Sequence, residues 1–393
     1  MIDSFYLASH YLLFHRIRSL TVVACLVLVA ALPVALGRIL DETEEQLMAR
    51  AATTPLLLGA KGSSLDLVMS AVYFGGQTPD PISLAEVERI EETDLAYAIP
   101  VHTGFSARGA PIVGTTIDYF EFRELRIVAG RSFAVLGESV LGAGVARRLG
   151  LGPGDALVSS PESFFDLAGA YPLKTKVVGV LAPSGTPDDL AVFVDLKTTW
   201  VMQGIGHGHQ DLSAVQDPTL VMKREEGRVV GSAKVVEYQE VTEANRDSFH
   251  FHGEPASYPL GAALIVPHDE RAGTLLLGRF VDGSLDGQLV RPRAIVGDLM
   301  ETIFRIKDLL DLAVVIVGTA AIAALVLVFM LAFRLRAPEL RTNFEIGASR
   351  GTTARLLAAE LVLLGGASVV GVALLLVVVD RFSPLIVRSL FVT

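Results

Sequence analysis

One cysteine, Cys25, stands among 393 residues. A single thiol excludes an internal disulfide and any thiolate zinc cluster. Charge is scarce as well. Asp, Glu, Lys and Arg make up 19% of the chain against 51% hydrophobic residues, whereas a soluble globular chain carries about 25% charge. That balance excludes a disordered or fibrous protein and argues against a wholly soluble enzyme. Catalytic motifs are missing too. No G-x-x-x-x-G-K-[ST] occurs, and in Gly59–Ser64 (GAKGSS) the lysine precedes the second glycine, so no ATP-binding P-loop is expected. H-E-x-x-H and a G-x-G-x-x-G opening a helix are likewise absent. No catalytic residue is predicted.

What charge there is divides unevenly. Residues 38–311 hold 24 basic and 38 acidic side chains, a net of −14. Residues 1–37 are net +1 and residues 312–393 net +3. An acidic middle of this kind argues against nucleic acid as a partner, because binding it needs a basic face.

The apolar residues are as unevenly spread. Leu20–Gly37 is uncharged and follows Arg16 and Arg18. A cleaved signal peptide is the alternative reading of this run. Its late start, its length and the absence of an A-x-A site before Arg38 favour a retained signal anchor. Leu312–Phe333 contains no charge, and Leu356–Val379 contains one, Glu360. A stretch of about 20 residues spans the ~30 Å of bilayer hydrocarbon, and both runs reach that length. The expected fold is therefore a three-helix membrane protein with a large extracytoplasmic α/β domain. Its segments are an N-terminal interfacial piece (1–19), transmembrane helices over 20–37, 312–333 and 356–379, the outer domain with helical stalks (38–311), a cytoplasmic loop (334–355) and an outer tail (380–393). Arginine excess in the loop, at 334, 336, 341, 350 and 355, puts it on the cytoplasmic side. The chain is therefore expected to be a multi-pass membrane protein, with lipid as surroundings. The stretch from Met1 to Ile17 is either an amphipathic helix lying in the interface or a polar extension of the first membrane helix.

Within the outer segment, Ser83–Glu92 (SLAEVERIEE) carries a Ser cap with Glu86 three residues on, a capping-box pattern. Strands are predicted over Ala96–Val101, Pro111–Thr115, Lys176–Leu181, Ala191–Val194 and Ala262–Pro267, and a helix over Val140–Leu149. The polar clusters Gly152–Asp155 and Pro183–Asp189 read as architectural turns. Ser160–Tyr171, Gly204–Asp217 and Asp247–Pro259 read as loops. Ile295–Leu310 has helical apolar spacing and leads into the second membrane helix. Helices alternating with strands give a mixed α/β domain.

Two features carry candidate chemistry. Five of the eight histidines lie between 207 and 268: His207, His209, His250, His252 and His268. Residues i and i+2 of a strand share a face, so each H-x-H pair can converge on one zinc ion, with Asp211, Glu254 and Asp269 as nearby carboxylates. The plain alternative is a set of exposed loop histidines. The second feature is Glu360 with Gly365, Gly366 and Gly371, an intramembrane carboxylate and small residues that allow close helix packing.

Arg341–Leu364 (RTNFEIGASRGTTARLLAAELVLL) resembles the coupling segment of MacB/FtsX-like ABC transporter permeases, a mechanotransmission family. Glu345, Ile346, Gly347, Ala348, Ser349, Arg350 and Glu360 match residue by residue, and Phe344 precedes them. Gly114–Phe120, Val128–Phe133, Val140–Gly154 and Lys176–Leu181 look like that family's outer-domain motifs, in the right order. The resemblance implies an outer domain of MacB periplasmic-core type. It implies a homodimer of this chain docked through residues 344–350 onto a cytoplasmic ABC ATPase, with ATP and magnesium on that partner. It also implies an extracytoplasmic adaptor, lipoprotein or cell-wall hydrolase outside, and export or extraction of a lipoprotein, lipid, peptide or drug. A regulator of an outer hydrolase and a zinc-linked transporter are the competing expectations. The family has four membrane helices. Arg381–Thr393 is too short for another span, which takes about 20 residues, so the last helix is expected to be either cut off by truncation or lacking.

Overall fold

A computed structural model describes residues 2–160, 172–208, 221–225, 228–231, 239–281, 287–335, 341–342, 345 and 349–390. The chain divides into a helical unit, Met1–Leu47 with Asp298–Thr393, and a sheet unit, Met48–Gly297.

Each expected membrane run lies inside a longer helix. The first is in Arg16–Ala52, the second in Pro292–Leu335 and the third in Arg350–Leu390. Asp41–Arg50 continues the first without a break, as its helix formers predict. Ile295–Leu310 and the second run form one element. The third helix carries on past Arg381 to Leu390, so the segment expected as an outer tail begins as helix. Arg16–Ala52 and Gly351–Ser383 are long and apolar enough to cross a membrane. The first residues form a separate helix, Ile2–Phe14, which packs on Arg350–Leu390.

The helical unit is joined at glycines. A Cβ on Gly371 would stand 2.7 Å from Val27 Cγ2, and one on Gly318 would stand 3.2 Å from Val29 Cγ1. Hydrogen at these two positions lets the backbones approach. By contrast, nothing lies within 4 Å of where a Cβ of Gly365 or Gly366 would be.

The sheet unit is built on one 11-stranded mixed sheet. Its central order is Leu173–Leu181, Glu138–Leu141, Val192–Asp195, Ala110–Thr115, Ala96–Ala107, Ala262–Pro267, Leu56–Ala60 and Gly287–Val290. Ala110–Thr115 runs parallel to Val192–Asp195, and Glu138–Leu141 parallel to Leu173–Leu181. The strand Ala262–Pro267 pairs on both sides, with Ala96–Ala107 and Leu56–Ala60. Its Ala262–Ile265 are accordingly buried and read as a continuous apolar run rather than an alternation. Burial on both faces also explains one difference from expectation. Val140 and Leu141 pair with Phe193 and Val192 as strand, and the helix starts only at Ala143. A short apolar run has no period that separates the two states.

Local signals hold elsewhere. Glu86 Oε1 accepts from Ser83 N–H at 3.4 Å, closing the capping box, while Val87 and Ile90 enter the core. The helix Ala143–Leu149 ends at Gly150, whose φ of +66° suits a residue without Cβ. Two apolar clusters fill the unit. One joins Leu56, Leu58, Ile265 and Trp200, and the other joins Ile112, Leu141, Val177 and Val192. Each fully buried aliphatic side chain contributes about 1.5–3 kcal/mol.

Two segments expected as loops hold paired strands instead. Gly206–Gly208 and Phe249–Phe251 form an antiparallel ladder with His207 opposite His250.

Candidate functional site

The last turn of the helix Arg16–Ala52 belongs to the sheet unit and carries a buried, bidentate ion pair. Arg50 is 7% exposed and Asp188 is fully buried. Arg50 Nη2 donates to Asp188 Oδ1 at 2.9 Å and to Tyr119 Oη at 2.9 Å. Its Nη1 donates to Asp188 Oδ2, and its Nε to the Val72 carbonyl at 3.2 Å. The Asp188 carboxylate also accepts from Tyr119 Oη at 2.8 Å and Thr186 Oγ1 at 2.8 Å. Two parallel guanidinium bonds to one carboxylate fix direction as well as distance. Aromatic rings wall the site: the guanidinium lies 5.9 Å from the Phe74 ring centre, and Tyr119 packs 5.6 Å from Phe193.

The electrostatics follow from burial and pairing. Burial pushes the Asp188 carboxyl up, and the Arg50 charge with the bonds from Arg50, Thr186 and Tyr119 outweighs it, leaving the group below its usual range. Burial likewise pulls Arg50 down, but its interactions with Tyr119 and Asp188 win and raise it. Tyr119 is raised chiefly by burial, and burial raises Tyr73 to about 12. The pair therefore stays ionised while both phenols stay neutral. This arrangement is structural: no group in it titrates near neutrality to serve as acid or base.

A second arginine braces the same helix end. Arg123 donates to Thr53 Oγ1 at 2.9 Å and Thr54 Oγ1 at 2.7 Å, and both threonine hydroxyls donate to the Arg50 carbonyl. Cations at a helix C-terminus also complement its dipole.

The expected coupling residues are described in part. Phe344, Ile346, Gly347 and Ala348 lie outside the described residues. Glu345 is exposed and faces Arg341 at 3.4 Å. Ser349 Oγ accepts from Thr352 N–H at 3.2 Å, capping the helix that starts at Arg350. In the helical unit Glu360 is 2% exposed.

Of the five expected metal ligands, three converge. One ligand nitrogen from each of His207, His250 and His252 lies within 4.8 Å of the others. His209 and Asp211 lie outside the described residues. His268 stands apart from the three, its N–H bonded to the Leu95 carbonyl.

Residues 59–234 match the family described as the MacB-like periplasmic core domain. This part of the chain is a MacB-like periplasmic core domain, the outer-domain type that the resemblance to MacB/FtsX-like ABC transporter permeases implies. Among solved structures it is similar to the periplasmic region of MacB from Actinobacillus actinomycetemcomitans, at 10% identity and a TM-score of 0.34, covering 63% of this chain and 92% of that one. It is also similar to the extracellular domain of the noncanonic ABC-type transporter YknZ from Gram-positive bacteria, at 10% identity and 0.32, covering 60% and 98%. The domain assignment rests on the family match, not on these two likenesses. No curated protein matches the chain.

The outer-domain motifs fall at tight contacts. Gly130 has φ of +75°, and a Cβ there would stand 2.0 Å from the Val178 carbonyl oxygen, so only glycine fits. The next residue, Arg131, pairs with Glu138, and Phe133 is buried. Burial raises the Glu138 carboxyl, and the Arg131 bond with the backbone N–H groups of Ala134 and Val135 brings it below its ordinary value. A Cβ on Gly114 would stand 2.4 Å from Thr199 Cγ2, and Tyr119 belongs to the Arg50 site. Sequence reasoning missed Arg50 and Asp188 as partners. Asp188 sits in the polar turn 183–189, and the one available signal was an arginine in the last turn of a helix expected to lead into the domain.

Proposed function

We propose that this chain is the membrane subunit of an ABC export complex in a bacterial inner membrane, converting ATP hydrolysis by a separate cytoplasmic ATPase into movement of its outer domain. The chain itself has no enzymatic role in this reading. Its three long helices cross the bilayer, two copies of the chain associate, and residues 344–350 dock on the ATPase. The observation that carries the reading is the helix Arg16–Ala52. It runs on from an uncharged apolar stretch and ends near Arg50, which pairs with the buried Asp188 of the matched domain. A continuous helix fixed by a two-bond ion pair passes displacement to the sheet unit, where a flexible linker would absorb it. Pro33 is tolerated in this helix, as proline is in membrane-spanning helices. The cargo is a lipoprotein, lipid, peptide or drug handled outside the membrane.

The test is co-purification of the tagged full chain with an ABC ATPase, identified by mass spectrometry, followed by ATPase assays in lipid nanodiscs. The wild-type chain is expected to alter the ATPase rate. Arg350→Glu is expected to remove that effect while the sheet unit stays folded by circular dichroism. Absence of any ABC ATPase from the purified wild-type complex contradicts the reading.

A further inference from the structure

We propose that His207, His250 and His252 form a three-histidine site for a zinc-class divalent cation, on a platform that the permease reading leaves unused. The platform comes first. In the paired strands Gly206–Gly208 and Phe249–Phe251, alternation divides the side chains between two faces. Phe249 and Phe251 take the inner face, packing on the core, with Phe251 6.3 Å from Trp200 and 6.2 Å from Tyr258. A Cβ on Gly206 would stand 2.6 Å from the Phe251 ring, and one on Gly208 would stand 2.6 Å from the Phe249 ring. The glycines flanking His207 thus make room for the rings that pin the ladder.

The histidines take the other face. His207 lies directly opposite His250, and His252 follows at i+2, held by its N–H to the Ile205 carbonyl at 3.0 Å. The three ring centres are 4.7–5.0 Å apart.

The nitrogen geometry suits a small tetrahedral ion. With Zn–N bonds of about 2.0–2.1 Å, neighbouring ligand nitrogens stand roughly 3.3–3.4 Å apart. His207 Nε2 and His252 Nε2 are 3.4 Å apart. The third ring, already within 4.8 Å, has to move in by on the order of 1 Å to complete the set. His250 has its tautomer fixed as well. Its Nδ1 lies 3.1 Å from the Ser248 carbonyl, an acceptor only, so Nδ1 carries the proton and Nε2 keeps the lone pair. Three imidazoles favour zinc, copper or nickel over magnesium or calcium. Water takes the remaining position, since His207 and His250 are half-exposed and His252 is exposed.

The experiment uses the tag-free full chain in detergent, stripped with chelator, and Co2+ as the probe. Titration is expected to give d–d absorption of tetrahedral intensity, saturating at one cobalt per chain and bleached by Zn2+. Lack of a sulfur-to-cobalt charge-transfer band separates this site from the exposed Cys25. His252→Ala and His207→Ala are each expected to weaken binding by at least about tenfold, with the circular dichroism spectrum unchanged. No d–d absorption in the wild type overturns the proposal, and so does binding of equal strength in either variant. Neither result depends on an ATPase partner, so the permease reading stands or falls separately.

Discussion

The two units of the chain use the same residue types in opposite ways. In the sheet unit, Leu57, Leu58, Ile99 and Val192 are sealed from solvent, and the buried Asp188 is paired. In the helical unit, Leu28 is 63% exposed, Val317 62% and Val369 69%. Packing thus defines the first unit from within. The second presents apolar side chains outward and lets helices approach at Gly318 and Gly371, the pattern of helices whose surroundings are themselves apolar. The difference teaches where rigidity resides. A dense core surrounds the bidentate ion pair, whereas the exposed apolar faces of the helices have no such cover among the described residues.

The largest expected effect breaks the rigid side of this contrast. Arg50→Ala leaves Asp188 buried without its cation and should destabilise the sheet unit by about 3–5 kcal/mol, read by denaturant unfolding of the detergent-solubilised chain. Adding Asp188→Ala should recover part of that loss, because the stranded charge is gone.

Acid probes the same core. His102 is buried, its ring 5.9 Å from Phe105, and burial lowers it to about 4. The unfolded chain takes up this proton near pH 6.5 and the folded chain only near 4. Stability should therefore fall between about pH 6.5 and 4, by about 3 kcal/mol in all. His102→Gln should flatten the slope in that window. The Asp188 contribution has the same sign but lies lower. It is complete above the unfolded carboxyl value of about 3.9 and is lost as pH falls through the depressed folded value.

The helical side is tested at its glycines. Gly371→Leu meets Val27 and should cost about 1–3 kcal/mol. Gly365→Leu enters open space and should stay within about 0.5 kcal/mol. Melting temperatures of the two variants in one detergent compare them. The smallest effect is at the capping box, where Glu86→Ala should cost about 1 kcal/mol.

Much of this contrast is legible in the sequence because it is local. The apolar runs, the capping box, the strand Ala262–Pro267 and the Gly150 helix end are each set by adjacent residues. The outer-domain motifs mark close contacts at Gly114 and Gly130, where a Cβ would meet Thr199 and the Val178 carbonyl. The Arg50–Asp188 pair is not local. It joins positions 138 residues apart, and each partner looks ordinary alone, a helix-end arginine and a turn aspartate. The histidine ladder escaped for a related reason. Three-residue strands rich in glycine carry no period, and their pairing is set by phenylalanines that seat on a core built elsewhere. The pair His250 and His252 does come together with His207, but His268 stands outside that group, so nearness in sequence is no guide to convergence.

The account turns on whether the helix Arg16–Ala52 carries movement into the sheet unit. Hydrogen exchange of the full chain with its ATPase, with and without ATP, measures this at Met48–Tyr73 and Thr186–Asp195. The wild type should show ATP-dependent changes at both. A flexible Gly-Ser insert after Glu45 should abolish them while the ATPase stays bound and the sheet stays protected. ATP-dependent changes of equal size in the insert variant would contradict the account.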